Sequence, residues 1–364
     1  MGLAYRACRS RPAGGRPGDR LRWAASFIQP AGRAKLGLAL GGPDRFLIDR
    51  RLRQSAGIRI TVCGIVGILV KRPALCDSLG EWLTPMLVCM GDRGPDSAGL
   101  AVFSEPLPAN VRRYSLYSGT ETVDWSALRD SLQRELAVDA KMKIHGNHAV
   151  LTSAVEPDKF RPWLAVNHPR LHLLSVGRSI DLFKDTGHPG EISSRYSFPK
   201  LAGTHAVGHT RMATESAVTP AHAHPFTAGE DFCLVHNGSL SNPYSIRRKL
   251  EKRGIHFETD NDTEAACRFL EWRMSEGDSL EAALERAIVE LDGFYTLLMA
   301  TGNKLVLIRD AFACKPAVVA ETEDYVAIGS EFRSLAHLPG VSAAKIFEPG
   351  PERIYSWTVS SPAA

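Results

Sequence analysis

No run of eighteen apolar residues occurs anywhere in this chain of 364, which weighs against a membrane-spanning helix. Cysteine is sparse and odd in number: seven residues, at 8, 63, 76, 89, 233, 267 and 314, with no C-x-x-C pair. That scatter speaks against a disulfide framework or a zinc knuckle and suits a reducing cytosol, so a cytoplasmic protein is expected. Acidic residues are nearly missing from the N-terminal segment. Residues 1–61 hold twelve Arg and one Lys against three Asp and no Glu, a charge of +10 within a total of +4, which leaves −6 on residues 62–364. The basic balance belongs to that segment alone, and neither a nucleic-acid nor a membrane partner is expected for the body. Internal repeats and low-complexity tracts are also lacking after residue 62.

What is there divides at Cys63. Residues 1–62 are rich in Arg, Ala, Gly and Pro and show no sustained period of 2 or 3.6. The segment is too poor in Ser for an ordinary transit peptide. Arg53 and Arg59 break the apolar stretch that a twin-arginine signal at Arg50-Arg51 would need. Translated upstream DNA of high GC content accounts best for this composition, with Val62 as a GTG start; a cleaved propeptide is the alternative. Residues 1–62 are thus expected to be a basic, disordered extension and 63–364 one domain.

From Cys63 onward the periodicity is legible. Cys63–Val70 reads as a buried strand and Asp77–Met90 as a helix opened by an Asp cap. A turn-forming loop, 92–99, leads into a strand at Leu100–Phe103. Residues 111–117 read as a strand and Asp124–Leu136 as a capped amphipathic helix. Between 138 and 204, strand-like pieces (149–154, 171–176) alternate with loops and a short helical stretch at Ser179–Lys184. Strands return at His205–Thr214 and Phe232–Asn242. Three helices follow (242–253, 262–274, 279–291), then strands at 294–300, 304–309, 317–320, 325–328 and 345–347, with a short helix at Glu331–His337. Strands before, strands after and helices between predict a layered α+β body.

Five blocks carry chemistry in order after Cys63-Gly64: Arg93-Gly94-Pro95-Asp96-Ser97-Ala98-Gly99, Gly208-His209-Thr210-Arg211-Met212-Ala213-Thr214, His222-Ala223-His224-Pro225-Phe226, Val235-His236-Asn237-Gly238 and Asn261-Asp262-Thr263-Glu264. Singly they are weak. A lone Cys is most often structural, Arg211 and Asp262 could be surface ion pairs, and Asn237-Gly238 could be a hairpin turn. Together and in this order they resemble the glutaminase domain of class II glutamine amidotransferases, which are N-terminal-nucleophile hydrolases. The resemblance implies a four-layer αββα sandwich and a reaction that takes L-glutamine to glutamate and ammonia through a thioester on an N-terminal Cys63.

Such chemistry needs a nucleophile, a base, an oxyanion stabiliser and a clamp on the substrate's α-groups. A terminal Cys can use its own α-amine as base, since a free amine has a pKa of about 7.7–8.0 whereas an amide nitrogen does not accept a proton. By resemblance, Cys63 is the nucleophile, and the Asn237 side chain with the Gly238 N–H forms the oxyanion hole. Arg211 holds the α-carboxylate, Asp262 pairs with the α-ammonium, Thr214 lines the pocket and Arg93 braces the loop near Cys63. His224 supports the pocket by hydrogen bonds. The five His at 205, 209, 222, 224 and 236 match no common zinc spacing, so no metal is expected.

Two departures narrow the resemblance: Met212 stands where many members have an aromatic residue, and the Gly99–His205 interval is long. With Thr214-Glu215-Ser216 and Asp310-Ala311-Phe312-Ala313-Cys314-Lys315-Pro316, they look most like the amidotransferase subunit of N-methylglutamate synthase, which is related to the amidotransferase region of glutamate synthase. That likeness implies no cofactor in this chain. It implies a glutamate-synthase-like partner subunit carrying FMN and iron–sulfur centres, and a small companion subunit. A catalytically silent scaffold subunit of the same complex is the competing reading.

Overall fold

The computed structural model describes residues 63–212 and 218–359. The expected extension at 1–62 and Thr214 lie outside the described residues.

In chain order, β1 (Gly64–Val70), α1 (Leu79–Cys89) and β2 (Ser97–Phe103) are followed by β3 (Arg112–Tyr117), α2 (Trp125–Leu136), β4 (Ala140–His145), β5 (His148–Ser153), α3 (Pro157–Asn167) and β6 (His172–Gly177). Next come β7 (Ile180–Thr186), α4 (Pro189–Arg195), β8 (His205–Arg211), β9 (Phe226–Thr227) and β10 (Phe232–Leu240). Helices α5 (Pro243–Glu251), α6 (Asp262–Ser275) and α7 (Leu280–Glu290) precede β11 (Gly293–Thr301), β12 (Lys304–Arg309), β13 (Val318–Glu321), β14 (Tyr325–Gly329), β15 (Lys345–Phe347) and β16 (Tyr355–Thr358).

Alternation along the strands builds four layers. A seven-stranded antiparallel sheet runs β15-β13-β14-β1-β8-β2-β7, and a five-stranded one runs β16-β12-β11-β10-β9. In β1, Val66, Ile68 and Val70 face a core shared with α1 and Ile192 of α4, while Ile65 and Leu69 face the other sheet. In β10 and β11, Cys233, Val235, Leu298 and Ala300 meet them in that inter-sheet core; Leu234, Leu297 and Met299 turn outward against α5, α6 and α7. Period-2 side chains with both faces apolar require a cover on each side of each sheet, which is the αββα sandwich.

A third sheet, β4-β5-β3-β6, is built wholly from residues between β2 and β7. One face packs α2 and α3 through Trp125, Leu128, Leu132, Phe160 and Trp163. Its opposite face leans on β7, where Ser115 Oγ accepts from Leu182 N at 2.9 Å. This module accounts for the long interval before His205.

Several local expectations change. Residues 180–186 form the edge strand β7, not a helix: Ile180 and Leu182 enter one core and Phe183 the other, so no alternation of apolar and polar residues survives. Helix α3, opened by Pro157, and strand β4 were not anticipated. Asp77 lies inside a 3-10 turn begun by Pro73 and caps nothing, and only Phe332–Ser334 of the expected 331–337 helix is helical. Asp124 does cap α2, accepting from Ser126 N and Ala127 N at 3.0 Å each. Among the described residues no helix is long and apolar enough to cross a membrane.

Candidate active site

Cys63 immediately precedes β1, and the alternation that sends Ile65 and Leu69 between the sheets aims Cys63 at the same space. Arg211, at the end of β8, and Asn237, on β10, have the parity of Val207 and Val235 and point there too. Three residues far apart in sequence thus converge at one end of the inter-sheet layer. Arg93 Nε donates to the Cys63 carbonyl at 3.3 Å, and its guanidinium also pairs with Glu331. Ser330 fastens Ile65, two residues on, its Oγ accepting from Ile65 N at 2.9 Å and its N–H donating to Ile65 O at 3.0 Å.

Burial pushes the partly exposed Cys63 thiol up from its ordinary range. A hydrogen bond to the Met212 backbone and the charges of Arg211 and Lys315 work against that rise, while Asp262 adds to it. Arg211 is only 4% exposed, so the surface-ion-pair reading of it fails. Burial also lowers its pKa, with Cys63, Asp96, Asp260 and Asp262 opposing.

Asn237-Gly238 is not a hairpin turn. Both residues sit inside β10, paired with Thr296 and Tyr295 of β11. Gly238 has φ +146°, and a Cβ there would fall 1.9 Å from the Phe294 carbonyl oxygen, so both conformation and space demand glycine. Asn237 is 1% exposed, and its Nδ2 is buried with no hydrogen-bond partner among the described residues. An orphaned buried amide donor costs roughly 1–3 kcal/mol and is kept where something else accepts from it.

Asp262 opens α6, while Asn261 is the actual cap, its Oδ1 accepting from Thr263 N at 2.8 Å. One Asp262 oxygen accepts from Leu240 N at 2.9 Å, and the other lies 3.6 Å from His236 Nδ1. Burial raises this carboxyl, but His236 and the backbone amides of Leu240 and Thr263 outweigh it and hold the pKa at about 2. Asp262 is therefore an anion at neutral pH.

Behind these groups lies a buried cluster of imidazoles. His224 stacks on His209 at 4.0 Å between ring centroids, and its Nε2 meets Thr263 Oγ1 at 2.8 Å. Thr263 Oγ1 also meets His236 Nδ1 at 3.0 Å. Burial pushes His209 down to about 3 and His224 well below its usual value, so both are neutral. His209 Nε2 lies 3.0 Å from the His236 carbonyl oxygen and must carry the proton to donate there, which leaves Nδ1 as a bare acceptor. The approach of His224 requires a second glycine: a Cβ on Gly99 would fall 2.1 Å from the His224 carbonyl oxygen.

The structure therefore gathers Cys63, Arg93, Arg211, His224, Asn237, Gly238 and Asp262 around one end of the sandwich. Sequence reasoning gave no role to Thr263, His236 or Lys315, although all three lie in quoted blocks; their joint position was the missing signal. Among the described residues no three His, Cys, Asp or Glu side chains gather to hold a metal ion.

The model of a glutamine amidotransferase domain matches residues 209–337, a span that holds Arg211, His224, Asn237, Gly238 and Asp262 but not Cys63. Over 297 residues the chain is 43% identical to the glutamine amidotransferase-like protein GlxB of Rhizobium meliloti (strain 1021), covering 81% of this chain and 98% of that one. The chain belongs to the class II glutamine amidotransferases. This amidotransferase is also 33% identical, over 307 residues, to a putative glutamine amidotransferase of Methanothermobacter thermautotrophicus, covering 81% of this chain and 99% of that one. Among solved structures it is similar to the glutamine phosphoribosylpyrophosphate amidotransferase of B. subtilis, 17% identical with a TM-score of 0.48, covering 82% of this chain and 50% of that one. Membership in this family makes glutamine hydrolysis the chemistry to be read from the site.

Proposed function

We propose that the chain is a glutaminase subunit whose Cys63, as the first residue of the working protein, hydrolyses L-glutamine and passes ammonia to a partner. The observation that carries this is the convergence of Cys63, Arg211 and Asn237, with Asn237 Nδ2 buried and unpaired. In the reaction Cys63 Sγ attacks the glutamine side-chain carbonyl, and its proton passes to the Cys63 α-amine. The oxyanion is stabilised by Asn237 Nδ2 and the Gly238 N–H. The C–N bond breaks, ammonia leaves with the proton from the amine, and a γ-glutamyl thioester remains. Water then adds to the thioester, releasing glutamate and the thiol. Arg211 takes the α-carboxylate, for which a planar fork is suited, and Asp262 the α-ammonium. Thr214 lines the pocket, and Arg93 holds the Cys63 carbonyl. A thiol raised by burial needs a base beside it, and this supports the α-amine in that role.

The ammonia acceptor is a glutamate-synthase-like or N-methylglutamate synthase complex, with FMN and iron–sulfur centres in the larger partner. Co-expression with such a partner should yield a stable complex and glutamine-dependent transfer; free ammonia as the sole product would remove this part of the proposal.

The central test compares the full chain, a chain beginning at Cys63, and the latter with Cys63→Ala. N-terminal sequencing of the purified full chain should find Cys63 first, and glutaminase activity should require both a free Cys63 amine and its thiol. Equal turnover by a chain retaining residues 1–62 would sink the terminal-amine mechanism. Absence of turnover in all three would leave the scaffold reading.

A further inference from the structure

A cavity of about 910 Å³ lies between the inserted third sheet, β7, the 218–229 segment and the start of α6. None of Cys63, Arg211, Asn237 or Asp262 lines it. Its wall holds four cations, Arg161, Lys184, Arg195 and Arg268, against three carboxylates, Asp185, Glu258 and Glu264, and the hydrogen bonds decide which of these groups has capacity to spare. Asp185 is fully engaged: it accepts from Tyr117 Oη at 3.0 Å, Arg195 Nη1 at 2.7 Å, Thr186 N at 2.8 Å and Tyr196 Oη. Glu264 likewise accepts from Glu258 N and Thr259 N at 2.8 Å and from Thr259 Oγ1 at 2.7 Å, with Arg268 alongside. Glu258, on the rim, pairs with Arg268 at 3.5 Å.

The groups with hydrogen-bonding capacity to spare are of the opposite kind. Lys184 is buried, and its ammonium donates to the carbonyls of Ala223 at 3.0 Å and Ala221 at 3.5 Å, two uses of three N–H bonds. Burial pulls its pKa down to about 8, so at neutral pH it still carries charge. Arg161 has no ion pair among the described residues and borders the same cavity, as does His172. Ser175 is 3% exposed, and its hydroxyl is buried without a partner. Ser175, on the edge strand β6, lines the cavity, and its cross-strand partner Ser115 turns its hydroxyl to β7. Phe226, Leu171 and Leu174 supply an apolar flank.

We propose that this cavity is a second ligand site, distinct from the glutamine site, for a small anion bearing a carboxylate or phosphate group, held by Lys184, Arg161 and Ser175. A lysine, an arginine and a hydroxyl around one cavity offer donors and positive charge, while Asp185 pairs with Arg195, and Glu258 and Glu264 share Arg268. Ser175 explains the choice of an anion over an apolar guest, since an apolar guest would leave its hydroxyl unpaired.

The test is calorimetric titration of the purified full chain with inorganic phosphate in one arm and glutarate in the other. Saturable binding in either arm is expected, and the arm that responds identifies the headgroup. Arg161→Ala, at an exposed position that does not threaten folding, should weaken that binding by about tenfold, and Ser175→Ala by severalfold. Arg211→Ala should leave it unchanged, which separates this site from glutamine binding. No saturable binding in either arm overturns the proposal. So does binding insensitive to both Arg161→Ala and Ser175→Ala, or binding lost in Arg211→Ala. The readout is binding alone, so it stands or falls independently of Cys63 chemistry.

Discussion

Two buried polar clusters of similar size sit in one chain and are finished differently. Around Asp185, where the inserted module meets β7, two tyrosines, an arginine and a backbone amide converge on one carboxylate and leave neither of its oxygens unpaired. Around Thr263, at the end of the inter-sheet layer, His209 Nδ1, His224 Nδ1, His236 Nε2 and Asn237 Nδ2 are all buried without partners among the described residues. A fully satisfied network is what structure alone requires; unsatisfied atoms persist at a cost, and they gather where a substrate can use them. The difference is the one expected between a framework cluster and the proposed glutamine site.

Four substitutions or conditions separate the two. The largest effect belongs to Asn237→Ala in a protein beginning at Cys63: kcat should fall by about 10²–10³, with thermal stability nearly unchanged because Nδ2 loses no internal bond. A large drop in stability instead would make Asn237 framework. Asp185→Ala should do the reverse, costing about 3 kcal/mol in denaturant unfolding by stranding the Tyr117 hydroxyl and taking one partner each from Tyr196 and Arg195, with catalytic turnover of the surviving folded protein intact. Smaller is the acid limb. Asp262, held at about 2 against an ordinary 3.8, has a depressed folded-state pKa. Its contribution of about 2 kcal/mol is therefore complete above pH 4 and lost as pH falls through 2, and Asp262→Asn should flatten that part of a stability–pH curve. The smallest is Asp124→Ala, which removes the cap of α2 and should cost about 1 kcal/mol with no change in glutaminase KM. A shift in KM would show that the module communicates with the site.

Much of the candidate site could be read before the fold was known, because its proposed parts are chemical identities in a fixed order: Cys63, Arg93, Arg211, His224, Asn237-Gly238 and Asp262. The sandwich strands were legible as well, since β1 and β10 through β14 are apolar runs bounded by turn residues. The module and its junction were not. Strand β7 buries Phe183 on one side, Ile180 and Leu182 on the other, and even encloses Lys184 and Asp185, so its pattern resembles neither an alternating strand nor an apolar one. Helix α3 carries Pro157 and Pro162 and leaves Val166 78% exposed, which blurs its amphipathic stripe. For Asn237-Gly238 the sequence left a hairpin turn open as an alternative, and the structure closes it: the dipeptide runs through a strand, paired with Thr296 and Tyr295.

By itself, then, the sequence determined which reactive groups exist, their order, and the two-faced strands that must be covered on both sides. Those are local properties: residue chemistry and a period of two. Only the tertiary structure decided which polar atoms are paired. That Cys63 meets Met212, that Arg93 reaches both the Cys63 carbonyl and Glu331, and that Lys184 borders a cavity all depend on contacts between distant strands. Closure of the sheets brings those strands together, and no local period encodes which of their polar atoms will find a partner.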